Sequence, residues 1–232
     1  MKKPILLFSI LLVCLAATAQ KKGKSKDKKA PAKTEIIGAG DETPVADTAT
    51  KFTGIIKYRM TTDDPADRDS MFIIFGENKI RITMFNPGYK EGQIFEANYI
   101  ANFTDSGFYT LDPRNKTYVL ERLGDRNAGV EFDLADHKRT TMIAKFLCKE
   151  YSGTMKVKEE SFEAAALVSK QHSYLYAMDY DFLNIQPVVR GYKIVLGWRT
   201  KSSENENTYI IAYEVIPGDV SAYFDLTGYK QK

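Results

Sequence analysis

Apolar and polar residues alternate with a period of two through much of the chain after residue 51. Clear examples are FTGIIKYRM (52–60), KIRITMF (79–85) and IFEANYIANF (94–103). Successive side chains of a strand point to opposite faces, so each apolar set can be buried while its polar set meets water. The pattern therefore predicts half-buried strands. Apart from Ile55, the apolar sets are Phe52, Gly54, Ile56, Tyr58 and Met60; Ile80, Ile82 and Met84; and Phe95, Ala97, Tyr99, Ala101 and Phe103.

Short segments rich in Gly, Pro, Asp and Asn separate these strands, including NPGYKEG (86–92), DSG (105–107) and DPRN (112–115). Such residues favour tight turns. Connections this short join antiparallel neighbours, because a parallel crossover needs a dozen or more residues. The segment 98–123 is therefore predicted to be a meander, with one strand ending near Phe103, a second at 107–111 and a third at 116–120.

The second half of the chain is less regular. TTMIAKFLCKEY (140–151) is compatible with helix or strand, and YLYAMDYDFLNIQP (174–187) is predicted to be a short helix that Pro187 ends. Three more strands are predicted in GYKIVLGWRT (191–200), NTYIIAYEVIP (207–217) and VSAYFDL (220–226). The chain is therefore predicted to be mainly β, with nine or ten strands and one or two short helices.

The N-terminus has the features of a secretory signal peptide. Lys2 and Lys3 precede the apolar run PILLFSILLVCLAA (4–17), and ATA (17–19) offers small residues for cleavage before Gln20. The apolar run is shorter than the roughly 20 residues of a spanning helix. Val13 before Cys14 does not suit a lipidation signal. We expect residues 1–19 to be removed and the protein to be periplasmic or extracellular, with no membrane-spanning segment afterwards.

Residues 20–50 have the composition of a disordered tether. KKGKSKDKKAPAK (21–33) carries seven lysines, one aspartate and almost no large apolar residue, and so cannot bury enough surface to fold. From residue 51 onward there are 24 Lys and Arg against 25 Asp and Glu. The domain at 51–232 is thus near neutral, which argues against nucleic acid as a partner. The lysines either attract anionic lipid or nucleic acid, or form a solvated linker, which is the interpretation that we favour because aromatic residues for base stacking are missing.

Several segments together resemble a family of exported proteins from Gram-negative bacteria. They are FTGIIKYRM, MFIIFGENKIRITM, FTDSGFYTLDPRNKTYVL, IAKFLCKEY and YFDLTGYK, which span 52–230. That family is similar to the lipoprotein-carrier superfamily. The resemblance implies a single curved antiparallel sheet that forms a half-open β-barrel, closed on its concave side by helices. Relatives often have Gly where Lys145 stands, and a Trp-bearing strand where Ala164 to Ala166 stand.

Catalytic and metal-binding motifs are missing from the sequence. It has no Gly-x-Ser-x-Gly elbow, no His-Glu-x-x-His pair and no phosphate-binding glycine loop. With His137 and His172 alone, a His-rich metal site is excluded. Cys148 and His137 are either a thiolate pair or a core cysteine with a surface histidine. We expect no catalytic residue, no metal and no cofactor.

Two acidic clusters remain as candidate cation sites. The first is a loop that contains Asp63, Asp64, Asp67 and Asp69. Oxygen-rich loops suit Ca²⁺, but the EF-hand spacing is absent, so solvated turn carboxylates are the simpler interpretation. The second cluster, Asp179 and Asp181, has the same simpler interpretation.

The sequence and the resemblance together favour a non-enzymatic protein that binds a lipid or another apolar ligand on the concave face of the sheet. The expected cavity residues are Ile80, Ile82, Met84, Phe95, Tyr99 and Phe103. The alternative is a structural or protein-interaction module of the cell envelope, in which the same residues fill a core. An open apolar cavity would support the first and a filled core with an exposed apolar patch the second.

Overall fold

The computed structural model describes residues 50–64, 68–86, 95–123, 130–174, 193–202 and 206–232. These residues form thirteen strands and one short 3₁₀ helix, Ser221–Phe224. The strands are β1 Thr50–Lys51, β2 Gly54–Thr62, β3 Arg68–Phe75, β4 Lys79–Asn86, β5 Phe95–Asn102, β6 Gly107–Asp112, β7 Thr117–Arg122, β8 Val130–Ile143, β9 Phe146–Val157, β10 Glu160–Ser173, β11 Lys193–Lys201, β12 Asn207–Pro217 and β13 Lys230–Gln231.

All the strands belong to one sheet, which consists of two meanders joined in its middle. The order across the sheet is β13-β7-β6-β5-β4-β3-β2-β12-β11-β10-β9-β8, and β1 pairs with the end of β10. The long strands are all antiparallel to their neighbours, whereas the short β1 and β13 pair in parallel. The two meanders are joined where β12 pairs with β2, so residues far apart in sequence, such as Thr208 and Thr62, are partners in the sheet.

The sheet is strongly curved but is not closed into a barrel. Cα atoms of β8 come within 8 Å of Cα atoms of β12, although three strands lie between them in the sheet. The predicted mainly β fold with a single curved antiparallel sheet is therefore confirmed.

The convex face of the first meander is crossed by residues 218–232, which we call the C-terminal strap. The strap includes the 3₁₀ helix, where the Tyr223 carbonyl accepts a 2.8 Å hydrogen bond from Arg81 Nη1 of β4. It ends in β13, which pairs with β7 at the edge of the sheet. Beneath it, Asn98 is buried and accepts hydrogen bonds from Thr83 Oγ1 (2.9 Å) and Arg81 Nη2 (3.1 Å).

Two details differ from the sequence-based predictions, the VSAYFDL segment and the number of strands, and the ambiguity at 140–151 is resolved. VSAYFDL was predicted to be a strand, but its first part forms the 3₁₀ helix, because Asp219 accepts hydrogen bonds from the Ser221 amide and hydroxyl and turns the backbone. The ambiguous 140–151 segment is a β-hairpin, with Ile143 paired to Phe146 across a two-residue turn. The strand count exceeds the expected nine or ten. The helix expected at 174–187 lies, apart from Tyr174, outside the described residues.

Candidate functional site

The concave face of the first meander is a continuous apolar surface, because the register aligns the apolar sets of neighbouring strands. Each row runs across β2, β3, β4 and β5, and most of its side chains are fully buried. The rows are Gly54, Phe75, Ile80 and Ala101; Ile56, Ile73, Ile82 and Tyr99; and Tyr58, Met71, Met84 and Ala97.

Four of the six expected cavity residues lie in these rows and are buried: Ile80, Ile82, Met84 and Tyr99. Tyr99 stacks on Phe108 of β6, with ring centroids 5.7 Å apart, and burial raises the pKa of its hydroxyl. Phe103 follows the end of β5 and is half-buried. Phe95 begins β5, paired with Asn86, but its side chain lies outside the described part.

Tyr58 ties the two meanders together across the concave face. Its hydroxyl donates a 2.8 Å hydrogen bond to the carbonyl of Val195 in β11, although β12 lies between β2 and β11. The side chain is fully buried, and this burial strongly raises the pKa of the hydroxyl. Alternation alone predicted that Tyr58 faces inward, but nothing in the sequence indicated its partner.

An aromatic cluster fills one end of the concave face, which we call the aromatic end. The Phe52 ring lies 5.7 Å from Phe75 and 5.0 Å from His172, and His172 lies 4.7 Å from Phe146 between centroids. Tyr174 packs 5.1 Å from Phe75 and donates a 3.0 Å hydrogen bond to the Lys79 carbonyl. The cluster joins β3, β9 and β10 to the segment that follows β1.

His172 is the titratable group in this cluster. Its Nε2 atom is buried and has no hydrogen-bond partner among the described residues. Burial lowers the pKa of the imidazole, since the charged form would lose solvation among the aromatic rings. The neutral form is therefore the one that fits here.

At the opposite end of the concave face, several inward-facing side chains are only half-buried. Trp198 of β11 is buried and meets Phe132 of β8 edge-on at 5.9 Å. Phe132 is half-buried, as are Met60 of β2 and Phe162 of β10. The register places Phe132 and Phe162 on the face that carries Trp198, next to the small buried Ala164 and Ala166. We call Met60, Phe132 and Phe162 the half-buried rim.

The structure does not support a reactive cysteine. Cys148 is fully buried, as predicted, and its Sγ lies 3.6 Å from the Phe146 carbonyl. Burial raises the pKa of its thiol to about 11, so the thiol stays protonated at neutral pH. His137 is exposed on β8. The arrangement therefore favours a core cysteine over a thiolate pair.

The acidic loop does not form a cluster in the described part of the chain. Asp63 accepts hydrogen bonds from the backbone amide of Asn207 (2.8 Å) and from its Nδ2 (2.9 Å), which link the loop to the start of β12. No group of three or more His, Cys, Asp or Glu side chains that could hold a metal ion is found among the described residues. Asp67, Asp179 and Asp181 lie outside them.

Comparison with known proteins gives no family. No protein-family model matches the chain, and no curated protein matches it. Among solved structures, the chain is similar to PNGF-II in the C2 space group, with 13% identity and a TM-score of 0.45, and in the P21 space group, with 11% and 0.40. Each match covers 78% of this chain and 31% of the other, so this chain spans about a third of the length of PNGF-II. With TM-scores this low, the similarity to PNGF-II establishes neither a shared fold nor a shared function.

Within the described residues, no helix combines the length and the apolar character that crossing a bilayer requires.

Proposed function

We propose that this protein is an exported, non-enzymatic binding protein that holds a lipid or another apolar molecule on the concave face of its sheet. The observation that carries the proposal is the continuous apolar face of a sheet that curves but does not close. Burial of apolar surface contributes about 25 cal/mol per Å², and the half-buried rim at one end of this face still has such surface to bury. The resemblance to the lipoprotein-carrier superfamily supports the same conclusion.

The two ends of the concave face suggest the direction of entry. The aromatic cluster packs Phe52, Phe75 and His172 against one another and leaves little room at that end. The half-buried rim retains solvent-exposed apolar surface at the other end. An apolar chain would therefore enter past the half-buried rim toward the rows that contain Ile82 and Tyr99, whose side chains would have to move apart to admit it.

A second function, a structural or protein-interaction module of the envelope, is favoured by a different observation. Ile80, Ile82 and Met84 are already 5% exposed or less in the protein alone. Side chains that are buried without a ligand can act as an ordinary core. The two functions differ in whether the concave face has space for a guest molecule.

The experiment is a solvent extraction of natively purified protein, analysed by mass spectrometry. The first function predicts an apolar compound that is present in stoichiometric amount and absent from an unrelated protein purified in the same way. It also predicts that added fatty acid raises the melting temperature, because a ligand that binds the native state alone stabilises it. A clean extract together with an unchanged melting temperature would favour the structural module.

A further inference from the structure

The end of the β8–β9 hairpin is an exposed basic element that neither the concave face nor the core uses. We call residues 137–145 the hairpin tip. Its side chains from His137 to Met142 are all exposed, and Lys145 in the turn is exposed as well. Residues 137–149 include Lys138, Arg139, Lys145 and Lys149 and no Asp or Glu. Lys149 is paired with Asp136 at 2.6 Å and is not counted in the tip; Asp136 also accepts a 2.8 Å hydrogen bond from the Lys138 backbone amide.

An apolar side chain lies among these cations. Met142 is 59% exposed, the largest value among the large hydrophobic residues that the structure describes. From Thr140 to the turn at Ala144 the strand extends roughly 13 Å. Met142 is therefore flanked within a short distance by Arg139 on one side and Lys145 on the other. Cations that surround a flexible apolar group suit the boundary between charged lipid headgroups and acyl chains.

We propose that the hairpin tip docks this protein on a membrane surface rich in anionic lipid, with Lys138, Arg139 and Lys145 at the headgroups and Met142 inserted below them. The domain as a whole is close to neutral, so net charge does not attract it to the membrane. Attraction depends on this local group of cations. The inference does not depend on the apolar ligand of the concave face.

The test compares a tip variant with a matched control. The tip variant is Lys138→Gln, Arg139→Gln and Lys145→Gln. The control is Lys158→Gln, Arg114→Gln and Lys116→Gln, which removes the same charges at exposed turn positions distant from the hairpin tip. The backbones also match, because Lys138, Lys145, Lys158 and Lys116 all have positive φ. Every variant keeps the lysines of residues 21–33, so any affinity that they supply is common to all.

Binding is measured by co-sedimentation with vesicles of phosphatidylcholine alone and of phosphatidylcholine mixed with phosphatidylglycerol. A basic residue near an anionic surface contributes about 1 kcal/mol, so the tip variant should lose about a hundredfold in partitioning to the mixed vesicles. The control variant should change by no more than a few-fold. Binding of the unchanged protein should fall as salt is added.

Met142→Ser tests insertion separately, with Leu120→Ser as its control at another exposed apolar position. Loss of a partly inserted methionine should weaken binding to the mixed vesicles about fivefold, and the Leu120 change should not.

Equal losses in the tip and control triple variants, or no binding of the unchanged protein to anionic vesicles, would overturn the proposal. Binding to duplex DNA in place of vesicles would assign the tip to nucleic acid and would also overturn it. Thermal melts confirm that each variant is folded.

Discussion

Tyr58 and His172 are polar side chains on the apolar concave face, and they are accommodated in different ways. The Tyr58 hydroxyl reaches the Val195 carbonyl, so its burial is compensated by a hydrogen bond. The buried Nε2 of His172 has no such partner in the part of the chain that the structure describes, and burial favours the neutral form of the ring.

Tyr58→Phe should destabilise the domain by about 1 kcal/mol, because it removes a buried hydrogen bond while it keeps the ring. The free energy of unfolding in urea measures the effect. Tyr209→Phe, which changes a half-buried tyrosine on the other face of the sheet whose hydroxyl has no hydrogen bond among the described residues, serves as the control and should have a smaller effect. Equal effects of the two changes would show that the bond to Val195 is not important.

Protonation of His172 should destabilise the native state as the pH falls. The pKa of His172 is lowered by folding, so its contribution is fully present above the unfolded value of about 6.5 and is lost as the pH falls through the lower folded value. Stability of the unchanged protein should therefore decline more than that of His172→Phe as the pH falls below the unfolded value. Urea unfolding at several pH values tests this, and parallel declines would contradict it.

The Cys148 thiol should not react in the folded protein, because it is fully buried and its pKa is raised to about 11. Labelling at neutral pH should reach the peptide that contains it only after denaturation. Ser161→Cys, at an exposed position of β10 that is paired with Lys156, should label rapidly and shows that the reagent is active. Rapid native labelling of Cys148 would revive the nucleophile hypothesis.

At the scale of elements, alternation predicted the strands well wherever one face is apolar and the other polar. The residues of β2, β4 and β5 and the meander through β7 follow from such patterns. The pattern does not distinguish helix from strand around Ile143 and Phe146, because both faces there are partly apolar and the turn lacks glycine. It also cannot reveal that β12 pairs with β2, since that pairing depends on contacts far apart in sequence.

The hairpin turn at Ala144 and Lys145 is held in a conformation that suits other residues better. Both have positive φ, 47° and 71°, as in the turns for which Asn-Gly is preferred. Ala144→Asn combined with Lys145→Gly should therefore stabilise the domain by about 1 kcal/mol. Thermal unfolding measures this. Lys156→Gly in the extended part of β9 should destabilise the domain by a similar amount. If Lys156→Gly also stabilised the domain, the explanation would be contradicted.

At the scale of the whole molecule, the account depends on what the curved sheet encloses. The sequence could place Ile80, Ile82, Met84 and Tyr99 on one face, and the structure confirms that they are buried together. Neither the pattern nor burial separates a core from a binding surface, because both are made of the same apolar side chains. The difference has to be measured as ligand affinity in variants that remain folded.

The most direct measurement compares fatty-acid binding by Tyr99→Ala and Ile100→Ala. Both residues are buried in β5, but alternation places Tyr99 on the concave face and Ile100 on the convex face. Each change should cost a few kcal/mol of stability, so binding of a fluorescent fatty acid is measured under conditions where both variants are folded. The account predicts that Tyr99→Ala weakens binding about tenfold, as expected for lost apolar contact, while Ile100→Ala binds like the unchanged protein. Equal affinities for all three proteins, or no binding by any of them, would contradict it.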